Sequence, residues 1–109
     1  MFGNLGKMMK LAGEMKTKLP EMQEKLAKTN FPAEAGGGAV RATVNGRLRI
    51  VEVKIDPEAL ADGAMDAGML EDLIKAAVSA AQDRAEEGIR EATMELTGGM
   101  ELPGLTDMI

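Results

Sequence analysis

The sequence predicts an α+β fold in the order helix, strands, helix. Three observations predict it. A heptad-spaced apolar seam runs near the start, an Asn-Gly pair joins two alternating segments, and a second apolar stripe, rich in alanine, recurs at helical spacing. In the first segment Leu5, Met8, Ala12, Met15, Leu19, Met22 and Leu26 fall at alternating steps of three and four, an a/d seam. Glu14–Lys18, Glu21–Lys25 and Glu24–Lys28 place the acid four residues before the base, the favourable order on a helix. A helix from Asn4 to Lys28 is about 37 Å long, more than a small domain needs, so part of it is expected to project. Pro20 removes one helical hydrogen bond and clashes with the preceding turn, at a cost of ~3 kcal/mol. The seam keeps its phase through it, so a kink near Lys16–Leu19 is expected instead of a stop.

The helical period disappears at Asn30. Phe31–Ala35 reads as a short edge strand, since proline is tolerated at edges and strand starts. Gly36-Gly37-Gly38 makes a corner. Ala39–Ile55 reads as a hairpin, because Asn45-Gly46 suits a two-residue type I′ turn. That turn pairs Val44 with Arg47, Ala42 with Arg49 and Val40 with Val51. One face then carries Val40, Ala42, Val44, Val51, Val53 and Ile55, with Arg47 and Arg49 at the tip, and packs on helices. The other carries Arg41, Thr43, Leu48, Ile50, Glu52 and Lys54, where Leu48 and Ile50 are placed to meet a partner subunit. Asp56-Pro57 predicts an N-cap with proline at N1, opening a turn to about Leu60. Asp66 is placed to cap the next helix, expected from about Met69 to Leu96. Its stripe is Leu70, Leu73, Ala77, Val78, Ala81, Ala85, Ile89, Ala92 and Leu96. Small side chains there let another element approach closely.

The 109 residues suit one domain. There is no histidine, cysteine, tryptophan or tyrosine, and one serine, Ser79. Ser-His-Asp and Cys-His triads and Cys/His zinc sites are therefore impossible within the chain. The absence of disulfides fits a reducing cytoplasm. No apolar run is long enough to span a membrane, and no secretory signal is read at the start. The apolar residues include 10 Met but only Phe2 and Phe31 as aromatics, so the core has little bulk per residue. Such a small core favours oligomerisation.

Motifs for catalysis are weak. The triple glycine lacks the spacing and the Lys-Ser/Thr of a phosphate loop, so a strand connection is the better reading. Glu71-Asp72 and Glu86-Glu87 are adjacent acids that diverge on a helix and do not pair for acid–base or metal chemistry. Asp83, Glu87, Glu91 and Glu95 share one acidic stripe. The methionine seam has the spacing of helix–helix core. Charge is more informative. The net charge is −5, yet residues 1–56 sum to +4 and residues 57–109 to −9. Lys7, Lys10 and Lys16 have no acid four residues before them, and Arg84 has none four residues to either side. These four are the candidate phosphate contacts.

Several segments together resemble one family. They are MFGNLGKMMK (Met1–Lys10), AGGGAVRATVNG (Ala35–Gly46), VKIDPEAL (Val53–Leu60), MLEDLIKAAVSAA (Met69–Ala81) and LTGGMELPGL (Leu96–Leu105). In this order, over nearly the whole chain, they are similar to the YbaB/EbfC family of small bacterial nucleoid-associated proteins. The resemblance implies an α-β-β-β-α fold with a three-stranded antiparallel sheet. It also implies a homodimer whose two long helices project like the arms of tweezers and which binds DNA. Pro20 departs from the family's usual helix former, and the acidic stripe makes the second helix a poor general DNA surface.

The resulting expectation is a single domain over 1–109. It comprises a long N-terminal helix within 1–30, a sheet within 31–56, a long second helix within 66–97 and an extended tail at 98–109. The expected function is a cytoplasmic, nucleoid-associated homodimer that binds double-stranded DNA, mainly through phosphate contacts and with little sequence specificity. Few aromatics argue against stacking on single strands, and there is no helix-turn-helix or zinc signature for base readout. No enzymatic activity, cofactor, metal, small-molecule substrate or membrane partner is expected. The alternative is a homodimeric protein-interaction module using the heptad seam and the acidic second helix.

Overall fold

A computed structural model describes residues 2–96. The elements are helix α1 (Phe2–Ala27), strands β1 (Asn30–Ala35), β2 (Val40–Asn45) and β3 (Ile50–Ile55), the short helix α2 (Pro57–Leu60), a 3-10 turn (Ala61–Gly63) and helix α3 (Ala67–Leu96). The three strands form one antiparallel sheet in the order β1-β2-β3. The α-β-β-β-α layout is thus present. The tail expected at 98–109 lies outside the described residues.

Local chemistry sets the boundaries. α1 continues through Pro20 and ends where the Thr29 hydroxyl donates to the Lys25 carbonyl at 2.8 Å. The Asp56 carboxylate accepts the Glu58 N–H at 3.0 Å and Pro57 follows at N1, as the sequence predicts. The Asp66 carboxylate accepts the Met69 N–H at 2.8 Å, so α3 starts at Ala67, two residues before the expected position. Gly36, Gly37 and Gly38 all have positive φ, which makes them the turn between β1 and β2.

The hairpin register differs from the two-residue expectation. Val40 pairs with Ile55, Ala42 with Val53 and Val44 with Ile50, with an irregularity beside Thr43 and Val44. The connection is the three residues Gly46-Arg47-Leu48, closed by the Asn45 N–H donating to the Arg49 carbonyl at 3.0 Å. Leu48, at φ 63°, takes the left-handed position that follows the turn. Gly46 serves a different purpose. Its N–H donates to the Leu26 carbonyl at 2.9 Å, and a Cβ there would strike the same Leu26 backbone. The slide relative to the expected pairing is an even number of residues, so Val53 and Ile55 keep their predicted face. The irregularity brings Ile50 opposite Val44 instead of onto the polar face.

The core lies between α3 and two of the three strands. Ala77, Ala81 and Ala85 are fully buried against Val40, Ala42, Val44 and Ala33. Alanines let the helix axis sit close to the sheet, and the valines fill the gap. Gly88 continues this: the Phe31 ring occupies the space where a Cβ would project. Thr93 is buried too, with its hydroxyl donating to the Ile89 carbonyl at 2.8 Å. α3 packs on β1 and β2, and β3 remains uncovered beside it. Ile50 and Val51 are about half exposed and Val53 is 39% exposed. The molecule is elongated, 71 × 21 × 17 Å, because α1 meets α3 only along its C-terminal part.

Candidate nucleic-acid interface

The seam of α1 divides in two. Leu26 is buried and Met22, Leu19 and Met15 are partly covered, whereas Leu5 and Met8 are 56% and 64% exposed. A cleft between the base of α1 and the end of α3 is lined by Met22, Leu26, Phe31, Gly88, Ala92 and Leu96, with Lys18, Glu21 and Lys25 contributed by α1 and Glu91 and Glu95 by α3. The α1 side thus carries both signs of charge and the α3 side only acids where the helices meet. Beyond that point α1 extends as an arm.

Lys7 and Lys10 lie on the arm, both exposed. Three residues apart on a helix, they are neighbours. Lys16 is also exposed, but nine residues from Lys7 places it on about the opposite side of α1. The four candidate residues therefore do not form one surface. Arg84 lies away from the arm, in the middle of α3. Its guanidinium donates to the Pro32 carbonyl at 2.8 Å, on the side of β1 that no strand covers. That bond occupies one of five N–H donors and caps an open sheet edge with charge. Arg84 also shares a concave surface with Arg41 and Glu34.

Acid–base spacing along α1 separates the lysines less sharply than the sequence suggests. Of the i,i+4 pairs read from the sequence, Glu24–Lys28 closes to 3.6 Å; Lys18 and Lys25 form no ion pair within 4.0 Å among the described residues. Lys18 and Lys25 are thus, like Lys16, without an acid within 4.0 Å among the described residues, but unlike Lys16 they border the cleft that Glu91 and Glu95 line. Two further cations, Arg47 and Arg49, were placed by the sequence at the hairpin tip without a role. They line a concave surface of about 310 Å³ with Gln23, Leu26 and Gly46. Their proximity to α1 follows from the Gly46–Leu26 contact, which no local sequence signal announces.

Among the described residues no group of three or more acidic side chains is arranged to hold a metal ion. No helix among them is long and apolar enough to cross a membrane.

Comparison with known proteins agrees with this architecture. Residues 1–100 match the model of the YbaB/EbfC DNA-binding family. A nucleoid-associated protein of Pelotomaculum thermopropionicum is 42% identical over 105 residues, covering 96% of this chain and 98% of the relative. One from Moorella thermoacetica is 41% identical over 102 residues, covering 94% and 96%. The crystal structure of an uncharacterized Helicobacter pylori protein superposes with a TM-score of 0.67 at 23% identity, covering 90% of this chain and 98% of the other, and supports the fold. The arm, the three-stranded sheet and the alanine-packed second helix are thus those of a member of the YbaB/EbfC DNA-binding family, a family of nucleoid-associated proteins.

Proposed function

We propose that this protein binds duplex DNA as a homodimer, mainly through phosphate contacts and with little sequence specificity, in the nucleoid of the cytoplasm. The observation that carries the binding mode is the segregation of charge onto separate elements. α1 holds five lysines against three glutamates, and α3 holds seven acids against three bases. A polyanion therefore approaches from the α1 side and is repelled by the acidic face of α3. Lys7, Lys10 and Lys16 are the proposed phosphate contacts on α1, and Arg84 is a further one through the donors that Pro32 leaves unused. Side chains of this kind position a duplex without reading its bases.

The uncovered face of β3 supports the homodimer. Ile50, Val51 and Val53 form an exposed apolar patch at an unpaired sheet edge, beside the two strands that α3 covers. A second copy supplies a matching strand edge and the same apolar side chains, in an isologous contact. A second reading, a protein-interaction module, is favoured by the exposed Leu5, Met8 and Met9 on the arm.

A gel-shift titration with unrelated duplexes at two salt concentrations, run beside sedimentation of the free protein, tests the proposal. Dimers that bind each duplex similarly, and far more weakly at high salt, agree with it. Monomers throughout the binding range, or a shift insensitive to salt, contradict it.

A further inference from the structure

We propose that the β2–β3 hairpin tip is a second phosphate-binding surface for duplex DNA, with Arg47 and Arg49 as its contacts and Lys16 extending it along α1. The inference rests on the DNA-binding reading above and adds a surface outside the helical arm.

The tip is built to hold its two arginines in place. The Asn45 carboxamide oxygen accepts the Arg47 N–H at 2.8 Å and the Arg49 N–H at 3.2 Å. One side chain thus fixes the backbone at both positions. The Leu48 N–H donates to the Asn45 carbonyl at 2.9 Å, which closes the turn between them. The base of the turn is tied to α1 by the Gly46–Leu26 bond, so hairpin and helix end are held together. Both guanidiniums are exposed, and neither forms an ion pair within 4.0 Å among the described residues. They border one concave surface with Gln23 of α1. The fixed backbone sets the positions from which the two side chains extend, and guanidinium donors match phosphate oxygens in geometry.

Helix geometry connects this surface to Lys16. Seven residues separate Lys16 from Gln23, so the two lie within about 20° on the helix surface and ~10 Å apart along the axis. Lys16 therefore belongs to the hairpin side of α1, and Lys7 and Lys10 lie on other faces. The basic track Lys16, Arg47, Arg49 follows one side of the molecule and joins two elements that are distant in sequence.

The test is fluorescence anisotropy of wild type and of an Arg47→Gln/Arg49→Gln double variant, on two unrelated duplexes across a salt series. The substitutions leave the backbone bonds to Asn45 available, and circular dichroism checks the fold. The expected result is at least tenfold weaker binding at low salt, equal on both duplexes. The slope of log K against log salt should fall by about 1 for each arginine that contacts a phosphate. The conservative Arg47→Lys/Arg49→Lys variant should retain most of the slope. Wild type that binds while the Gln variant keeps the same affinity and slope overturns the hairpin surface and leaves the arm as the contact. Wild type that binds neither duplex overturns the DNA reading and the hairpin with it. Should the double variant lose its fold, the single variants Arg47→Gln and Arg49→Gln carry the same comparison, and unchanged slopes in both overturn the proposal.

Discussion

The two long helices carry similar apolar periodicity and use it differently. α3 presents Ala77, Ala81 and Ala85 to the sheet, and each is completely buried. α1 presents larger side chains, Leu5, Met8 and Met15 among them, and leaves the first two more than half exposed. Periodicity therefore indicates that a face is apolar and not whether the same chain covers it. The side-chain sizes carry the missing information. Alanine at the contact positions permits the close approach that a sheet requires, whereas Met and Leu stand off the axis and suit a partner outside the fold.

That contrast predicts a gradient of effects. The largest belongs to α3: Ala81→Leu inserts a branched side chain where no space exists and should cost ~1–3 kcal/mol or more in urea unfolding. Met8→Ala on the arm should change stability by less than about 0.5 kcal/mol. Equal costs at the two positions would break the comparison. Gly46→Ala comes next, because its methyl strikes the Leu26 backbone where the hairpin meets α1. A loss of about 1–3 kcal/mol is expected, together with faster hydrogen exchange at the end of α1. Val53→Asp sharpens the comparison at the uncovered strand. It should weaken self-association at least tenfold in sedimentation while circular dichroism of the monomer stays the same. Arg84→Ala leaves the Pro32 carbonyl without its charged donor and should cost about 1 kcal/mol. The smallest effect is that of Glu24→Gln, which breaks an ion pair exposed on both sides and should shift the thermal midpoint by no more than the error of the measurement.

What the sequence revealed was local. Asp56 and Asp66 are read as caps because a carboxylate reaches an N–H two or three residues on, and both do so. The alternating faces of β2 follow from its pattern alone. The hairpin register was not legible. Asn45-Gly46 has the composition of a two-residue turn, yet Gly46 answers to the end of α1, twenty residues earlier, and the turn opens by one residue to accommodate it. Arg84 was legible as a cation without a helical partner, but its bond to Pro32 spans 52 positions and depends on α3 lying along β1. For the same reason Arg47 and Arg49 were seen as the tip of a hairpin and not as neighbours of Gln23. The exposure of β3 depends on where α3 crosses the sheet, which no single strand encodes.

The central claim is that an acidic protein binds DNA by segregating its cations onto α1 and the hairpin. The most direct measurement is the salt dependence of duplex affinity. A linear plot of log K against log salt with a slope of about −3 or steeper, nearly the same for unrelated duplexes, is the predicted result. A flat plot, or affinity confined to one duplex, would contradict it.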